Sequence, residues 1–349
     1  MSRAPRRASP KRGPTPPRRG VFGVLVGLVI LALVGAGALA FLFYGPGPGP
    51  REGGTETTVV LEHGSSLPRI SQDLADSGVI RIPFAFALLA KLTGAGQHLI
   101  AGEYAVPAEA STADILAMIR AGRIVHHYIT VPEGLSSAQV ADILNASPVL
   151  VGHAPAAPEG SLMPQTYDVV RGQDREAVQR LMMQAQANLV DALWAARRPG
   201  LPYQNPEQAL ALASIVEKET AVPAERPHVA GVYLNRLAKG MLLESDPTII
   251  YGITKGRPLG RGLTHADVVA PSAWNTYVVA GLPPTPIANP GRASIEAALN
   301  PQATEDLYFV ADGTGGHVFA RTFEEHQKNV ARWRDIARSL KGDKPGAGG

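Results

Sequence analysis

From Val21 to Tyr44 the chain runs through 24 positions without one charged side chain, and no other feature restricts its fold so strongly. At about 1.5 Å per residue, a helix of that length crosses a bilayer core of about 30 Å with some tilt. The preceding twenty residues hold Arg3, Arg6, Arg7, Lys11, Arg12, Arg18 and Arg19 and no acid. Cations flanking an apolar span stay in the cytoplasm. The pattern predicts a basic cytoplasmic tail (1–20), a transmembrane helix (21–44) and an exported remainder on a cell inner membrane. The small residues GAGALA at 35–40 would suit a signal peptidase, but the run is too long for a cleaved signal, which favours a retained anchor.

The charge balance excludes a nucleic-acid partner. Of a formal net charge of +3, the first twenty residues supply +7, leaving −4 on a remainder whose cations are dispersed. Absence of cysteine removes disulfides, a lipoprotein thioester, thiolate zinc sites and a cysteine nucleophile together. No His-Glu-x-x-His occurs among the nine histidines, so neither a metal nor another cofactor is expected.

Residues 45–57 open with GPGPGP and continue as a polar stretch, which reads as a spacer holding the exported part off the membrane. Next, TVVLEHGSSLPRISQDLADSG from Thr58 and YITVPEGLSSAQVADILNAS from Tyr128 repeat one device: strand, Gly-containing turn, Ser, amphipathic helix. A partial copy starts at Tyr104. Such units bury little alone and are expected to pack into a small α+β domain over 58–147. The region 148–340 is expected to be helical around 175–197 and then loop-rich, with DPTIIYG (246–252), PSAWNTY (271–277) and GLPPTPIANPG (281–291) as cleft-forming loops. GTGG at 313–316 reads as a hairpin turn, and 341–349 as a disordered tail.

The stretch ALASIVEKET (211–220) carries the sharpest chemical signal. Asn205 as cap, Pro206 at the first turn and Gln208 completing a capping box start a helix; Pro223 ends it near Thr220. Spacing of three, four and seven puts Glu219 over Val216, Ile215 and Leu212, whereas Glu217 follows Ala213, Ser214 and Leu210. Apolar surroundings and the negative end of the helix dipole both disfavour the Glu219 anion. A carboxyl kept protonated near neutrality suits a general acid. A buried salt-bridge partner of Lys218 or Arg226 fits the same pattern. Trp274, Asn275 and Tyr277 suit either sugar binding or loop capping, and Asp246 either a turn or a second carboxylate near Glu219.

The motifs ASIVEKET, AERPHVAGVYLNRL, ESDPTIIYG, PSAWNTYVVAGLPPTPIANPG, the NP at 300–301 and LYFVADGTGGHVF, in that order, resemble the endolytic murein transglycosylases of the MltG/YceG-like family. The resemblance implies a single-pass membrane enzyme with a LysM-like subdomain (58–147) and a catalytic transglycosylase domain (148–340). The implied reaction cleaves the MurNAc-GlcNAc bond within nascent peptidoglycan glycan strands without water, leaving 1,6-anhydro-MurNAc ends and terminating elongation, beside penicillin-binding proteins as partners. The resemblance places the catalytic glutamate on Glu219 and the substrate-binding cleft on Asp246, Thr248, Tyr251, Asn275, Tyr277 and Asn289. Where some relatives carry Pro-Asp-Thr this chain has Pro164, Gln165 and Thr166, without the carboxylate. Alternatives are a non-catalytic wall-binding or division scaffold and a hydrolytic muramidase.

Overall fold

The computed structural model describes residues 19–48 and 54–342; the basic tail before Arg19, linker residues 49–53 and the tail from 343 lie outside the described residues. The chain divides into two compact units, Met1–Val125 and His126–Gly349. The fold is mixed α+β, built from three two-stranded antiparallel sheets among twelve helices in the described residues.

In the first unit, α1 (Arg19–Tyr44) contains one stretch long and apolar enough to cross a membrane, Phe22–Tyr44. β1 (Glu56–Leu61), α2 (Leu67–Asp76), α3 (Pro83–Leu92), β2 (Gly102–Pro107) and α4 (Thr112–Arg120) follow. β1 and β2 pair with Glu56 opposite Pro107 and Leu61 opposite Gly102. Their inward residues join Leu74, Phe86, Ile115 and Ile119 in one core. Tyr104, fully buried, satisfies its hydroxyl on the Ile100 carbonyl at 2.6 Å. Ser111 and Asp114 form a reciprocal capping box on α4. The beginning of the linker is not the stand-off spacer expected from GPGPGP: Gly45–Pro48 lies against this unit, with the Gly47 N–H on the Glu109 carbonyl at 2.9 Å. Proline-rich backbone is stiff but not obliged to stay solvated when a carbonyl partner is within reach.

The third strand-helix copy lies in the second unit. Its strand β3 (His127–Thr130) pairs with β4 (Thr166–Val169), and α5 (Ser137–Ala146) is closed by a Ser136/Gln139 capping box. These pack with α6 (Arg175–Ala195) around Val140, Leu144, Leu162, Val178 and Met182. The division after Val125 therefore parts this copy from the other two, because β3 finds its partner further along the chain rather than in the β1/β2 sheet.

A second core of this unit surrounds α7 (Pro206–Glu219), against which α8 (Arg226–Ala238) and α11 (Arg292–Leu299) pack. α7 is buried at every position from Ala211 to Val216. Between α8 and α11 lie α9 (Asp246–Thr254) and the short α10 (His265–Val269). The expected loop at 246–252 is thus a helix: Pro247 occupies its first turn, where a missing N–H costs nothing. Loops do fill 270–291 apart from isolated turns. The hairpin expected around GTGG is present as β5 (Tyr308–Ala311) and β6 (His317–Ala320), its turn held by Asp312 Oδ1 accepting the N–H groups of Thr314 and Gly316. α12 (Phe323–Gly342) closes the described chain.

Candidate active site

α7 begins as its sequence predicts, with Asn205 Oδ1 accepting the Gln208 N–H at 3.0 Å. The capping box is only half formed, since Gln208 Oε1 accepts from the Gln204 N–H at 2.8 Å instead of reaching back to Asn205. At the other end Thr220 turns extended, leaving Glu219 as the last helical residue.

Two elements deliver hydroxyl groups to Glu219. Tyr233 of α8 donates to Oε1 at 2.9 Å, and Ser245, just before α9, donates to the same oxygen at 2.5 Å. Oε2 accepts no hydrogen bond among the described residues, and Glu219 keeps partial exposure. Neither candidate cation pairs with it: Lys218 donates to the Gly134 carbonyl, and Arg226 serves Glu133 and Glu217. Burial, the dominant influence, pushes the Glu219 pKa up; the Ser245 and Tyr233 hydroxyls pull it back, the Asp246 charge raises it and His317 lowers it. Burial and the neighbouring Glu219 charge push the Tyr233 phenol far above its ordinary value, so it remains a donor.

Behind Ser245 stands a layer of buried hydroxyls. Its N–H donates to Thr276 Oγ1 at 3.0 Å, its carbonyl accepts from Thr248 Oγ1 at 2.6 Å, and Thr248 and Thr276 share a hydrogen bond of 2.9 Å. Next to Ser245, the exposed Asp246 accepts the Tyr277 hydroxyl at 2.7 Å. Burial and that contact raise the Tyr277 pKa.

Glu217 meets the opposite chemistry. Its side chain, 5% exposed, pairs with Arg226 at 3.1 Å and accepts the Gly291 N–H at 3.0 Å. Glu133 accepts from the same guanidinium nitrogen, Nη2, at 3.4 Å. A Cβ on Gly291 would fall 1.9 Å from Glu133 Oε1, so any larger residue there would push the Glu133 side chain off this junction.

The six expected cleft residues fall in three places. Asp246 and Tyr277 lie near enough to Glu219 to interact with it electrostatically. Thr248, Asn275 and Asn289 are 0%, 1% and 0% exposed and spend their polar atoms on the protein. Asn275 Nδ2 donates to the carbonyls of Val268 and Ala270, fixing the loop after α10. Asn289 accepts the Leu162 N–H and donates to the Leu135 carbonyl, tying its loop to α5. Tyr251, 8% exposed and pushed up to about 12 by burial and then the Glu159 charge, borders a cleft of 420 Å³ with Lys218, Pro247 and Ile287. A larger cleft, 490 Å³, adjoins Asn205 at the far end of α7, about 20 Å from Glu219 by helical rise. Gln165, where the chain departs from some relatives, and the neighbouring Thr166 serve the β3/β4 pairing through the Gln165 carbonyl and the Thr166 hydroxyl.

Sequence reasoning missed Ser245, Tyr233 and Thr276. Tyr233 had a usable signal: it shares the apolar face of α8 with Val229 and Ala230, and a buried phenol needs a partner. It also missed the Glu225 and His317 pair. The carboxylate accepts both the His317 backbone N–H, at 2.8 Å, and Nδ1, at 2.7 Å. Burial raises the Glu225 pKa, but these contacts and the Thr220 hydroxyl outweigh it and leave the pKa low.

The YceG-like family model matches residues 59–332, and the chain belongs to that family. It is 29% identical over 332 residues to an endolytic murein transglycosylase of Streptococcus pneumoniae serotype 2, covering 78% of this chain and 58% of the relative. Over 119 residues it is 43% identical to an endolytic murein transglycosylase of Bacillus subtilis, covering 34% of this chain and 32% of the relative. A crystal structure of a YceG-like protein from Listeria monocytogenes is 30% identical, with 78% of this chain and 98% of that one covered and a TM-score of 0.49. The chain spans less than two thirds of the length of these curated relatives.

Proposed function

We propose that this chain is a membrane-anchored lytic transglycosylase that cleaves the MurNAc-GlcNAc bond inside peptidoglycan strands, with Glu219 as its one acid and base. The observation that carries the reading is the asymmetric seat of Glu219: two hydroxyls on Oε1, no cation, and a raised pKa. Because Oε1 already accepts two donors, the proton belongs on Oε2, the oxygen free to meet substrate. In the first half of the reaction Oε2–H protonates the GlcNAc O4 as its bond to the muramyl C1 breaks. In the second half the carboxylate takes the proton of the muramyl C6 hydroxyl, whose oxygen closes on C1. Glu219 regains its proton, no water is consumed, and the new end is a 1,6-anhydro sugar. Intramolecular attack makes a protein nucleophile unnecessary. Tyr233 and Ser245 hold the carboxylate through the interval when it is charged, and Asp246 and Tyr277 border the place where the positive sugar centre develops.

The names of the similar murein transglycosylases support the same substrate class. Under this reading α1 anchors the chain with the basic tail in the cytoplasm and the second unit on the exported side, near penicillin-binding polymerases; the LysM-like character of the strand-helix copies belongs to the same proposal. Mass spectrometry of peptidoglycan incubated with wild type and with Glu219→Gln tests it. Internal fragments with anhydro ends, absent with the variant, are expected. Reducing ends one water heavier would instead indicate a muramidase, and no cleavage of nascent strands by folded wild type would favour a binding scaffold.

A further inference from the structure

The last turn of α1 is fixed to the first unit. Phe43, 5% exposed, belongs to the same apolar core as Phe86, Leu89 and Leu116. The Thr112 hydroxyl reaches the Leu42 carbonyl at 3.3 Å, and the Glu109 N–H donates to the Pro48 carbonyl at 3.3 Å. Gly47 permits this closeness, since a Cβ there would lie 2.2 Å from the Ala110 carbonyl oxygen.

α3 starts beside that turn, where Ile82 and Ala85 share a crevice with Phe41, Leu42 and Gly45. It buries Ala85, Phe86, Leu89 and Ala90. Its other face carries Phe84 and Leu92, 71% and 66% exposed, with the half-buried Leu88 between them leaning on the core. A helix apolar on both faces with one face uncovered has a partner still to meet.

The placement identifies that partner as lipid. The helix that carries this face starts against the end of the apolar anchor, where Phe41 and Tyr44 are 66% and 70% exposed, so both elements of one packed junction expose apolar side chains. Arg81 and Lys91, both exposed, flank the stripe as cations do when they meet headgroup phosphates. With the exit of α1 fixed, no free tether separates the two. We infer that α3 is an interfacial helix: when α1 spans the bilayer, Phe84 and Leu92 enter the boundary between headgroups and acyl chains and seat the first unit on the membrane. This rests on the reading of α1 as an anchor.

Because the chain has no cysteine, single cysteines can carry a nitroxide in the full protein. Phe84→Cys, Leu92→Cys, Glu62→Cys and Val29→Cys would be labelled and reconstituted in liposomes of phosphatidylethanolamine and phosphatidylglycerol. Collision rates with oxygen, which enters lipid, and with a water-soluble nickel chelate are then compared. The oxygen-to-chelate ratio at 84 and 92 should exceed that at the exposed Glu62 severalfold. Equal ratios would overturn the inference, as would shielding of 84 from both reagents, which would put a protein on this face. Chelate access at 29 would overturn it through the anchor reading, whereas chelate access at 84 with 29 sealed would overturn it alone.

Discussion

Glu217 and Glu219 leave the same turn of α7, two residues apart, and enter opposite surroundings. Glu217 meets a guanidinium and a backbone N–H; Glu219 meets two hydroxyls and, among the described residues, pairs with no lysine or arginine. A cation beside a carboxylate favours the charged form and locks it into the structure, whereas burial against neutral donors leaves a proton that can move. One glutamate therefore suits holding the fold and the other suits chemistry, and the difference comes from what α8 brings to each: Arg226 from its first turn, Tyr233 from its middle.

The comparison breaks most visibly at Glu219 itself. Glu219→Gln should lower the rate of anhydro-end formation by at least about 10²- to 10⁴-fold, read by mass spectrometry. Its stability should not fall. A carboxyl whose folded pKa is raised contributes stability that is fully present below its unfolded pKa and lost as pH rises through the folded one. The glutamine variant should accordingly melt at or above wild type at neutral pH. A lower Tm there would show that Glu219 holds the fold after all.

Glu217→Gln should do the converse. It leaves Arg226, itself 9% exposed, with only Glu133, and should cost about 2–4 kcal/mol in urea unfolding, somewhat below the usual cost of breaking a fully buried pair. The folded fraction should keep most of its turnover. Loss of activity without loss of stability would reverse the two roles.

Ser245→Ala sharpens the comparison from the donor side. Removing a hydrogen bond to the carboxylate raises the Glu219 pKa further, so the alkaline limb of the rate profile should move to higher pH while maximal turnover falls about tenfold, the size of a charge-assisted bond. An unmoved limb would mean that Ser245 only packs. Thr248→Val should have the smallest effect, about 1–2 kcal/mol in stability, with a minor loss of turnover as Ser245 loosens.

Much of this site was legible locally. The cap at Asn205 and the end of α7 near Thr220 follow from side-chain hydrogen bonding and from the missing N–H of Pro223, which act over a few residues. The choice of Glu219 over Glu217 was reached from helical faces, but α7 is buried all round from 211 to 216, so apolar facing does not separate the pair; the partners do. Likewise Asn275 and Asn289 sit in motif loops and could be marked from sequence, yet they are buried loop anchors, because an amide can satisfy backbone groups as readily as a sugar.

By itself the sequence determined what depends on composition and short periods: an apolar span long enough for a bilayer, the exclusion of disulfide and thiolate chemistry, the capped central helix, and the hairpin around GTGG. Tertiary structure alone decided that β3 pairs with β4 instead of joining the first unit, that α1 ends in a packed core instead of a free spacer, and that Ser245 and Tyr233 converge on one oxygen of Glu219. The physical reason is range. Caps and turns are settled by neighbours in the chain, while a proton's position on a carboxyl depends on donors brought from 14 and 26 residues away, which only packing can place.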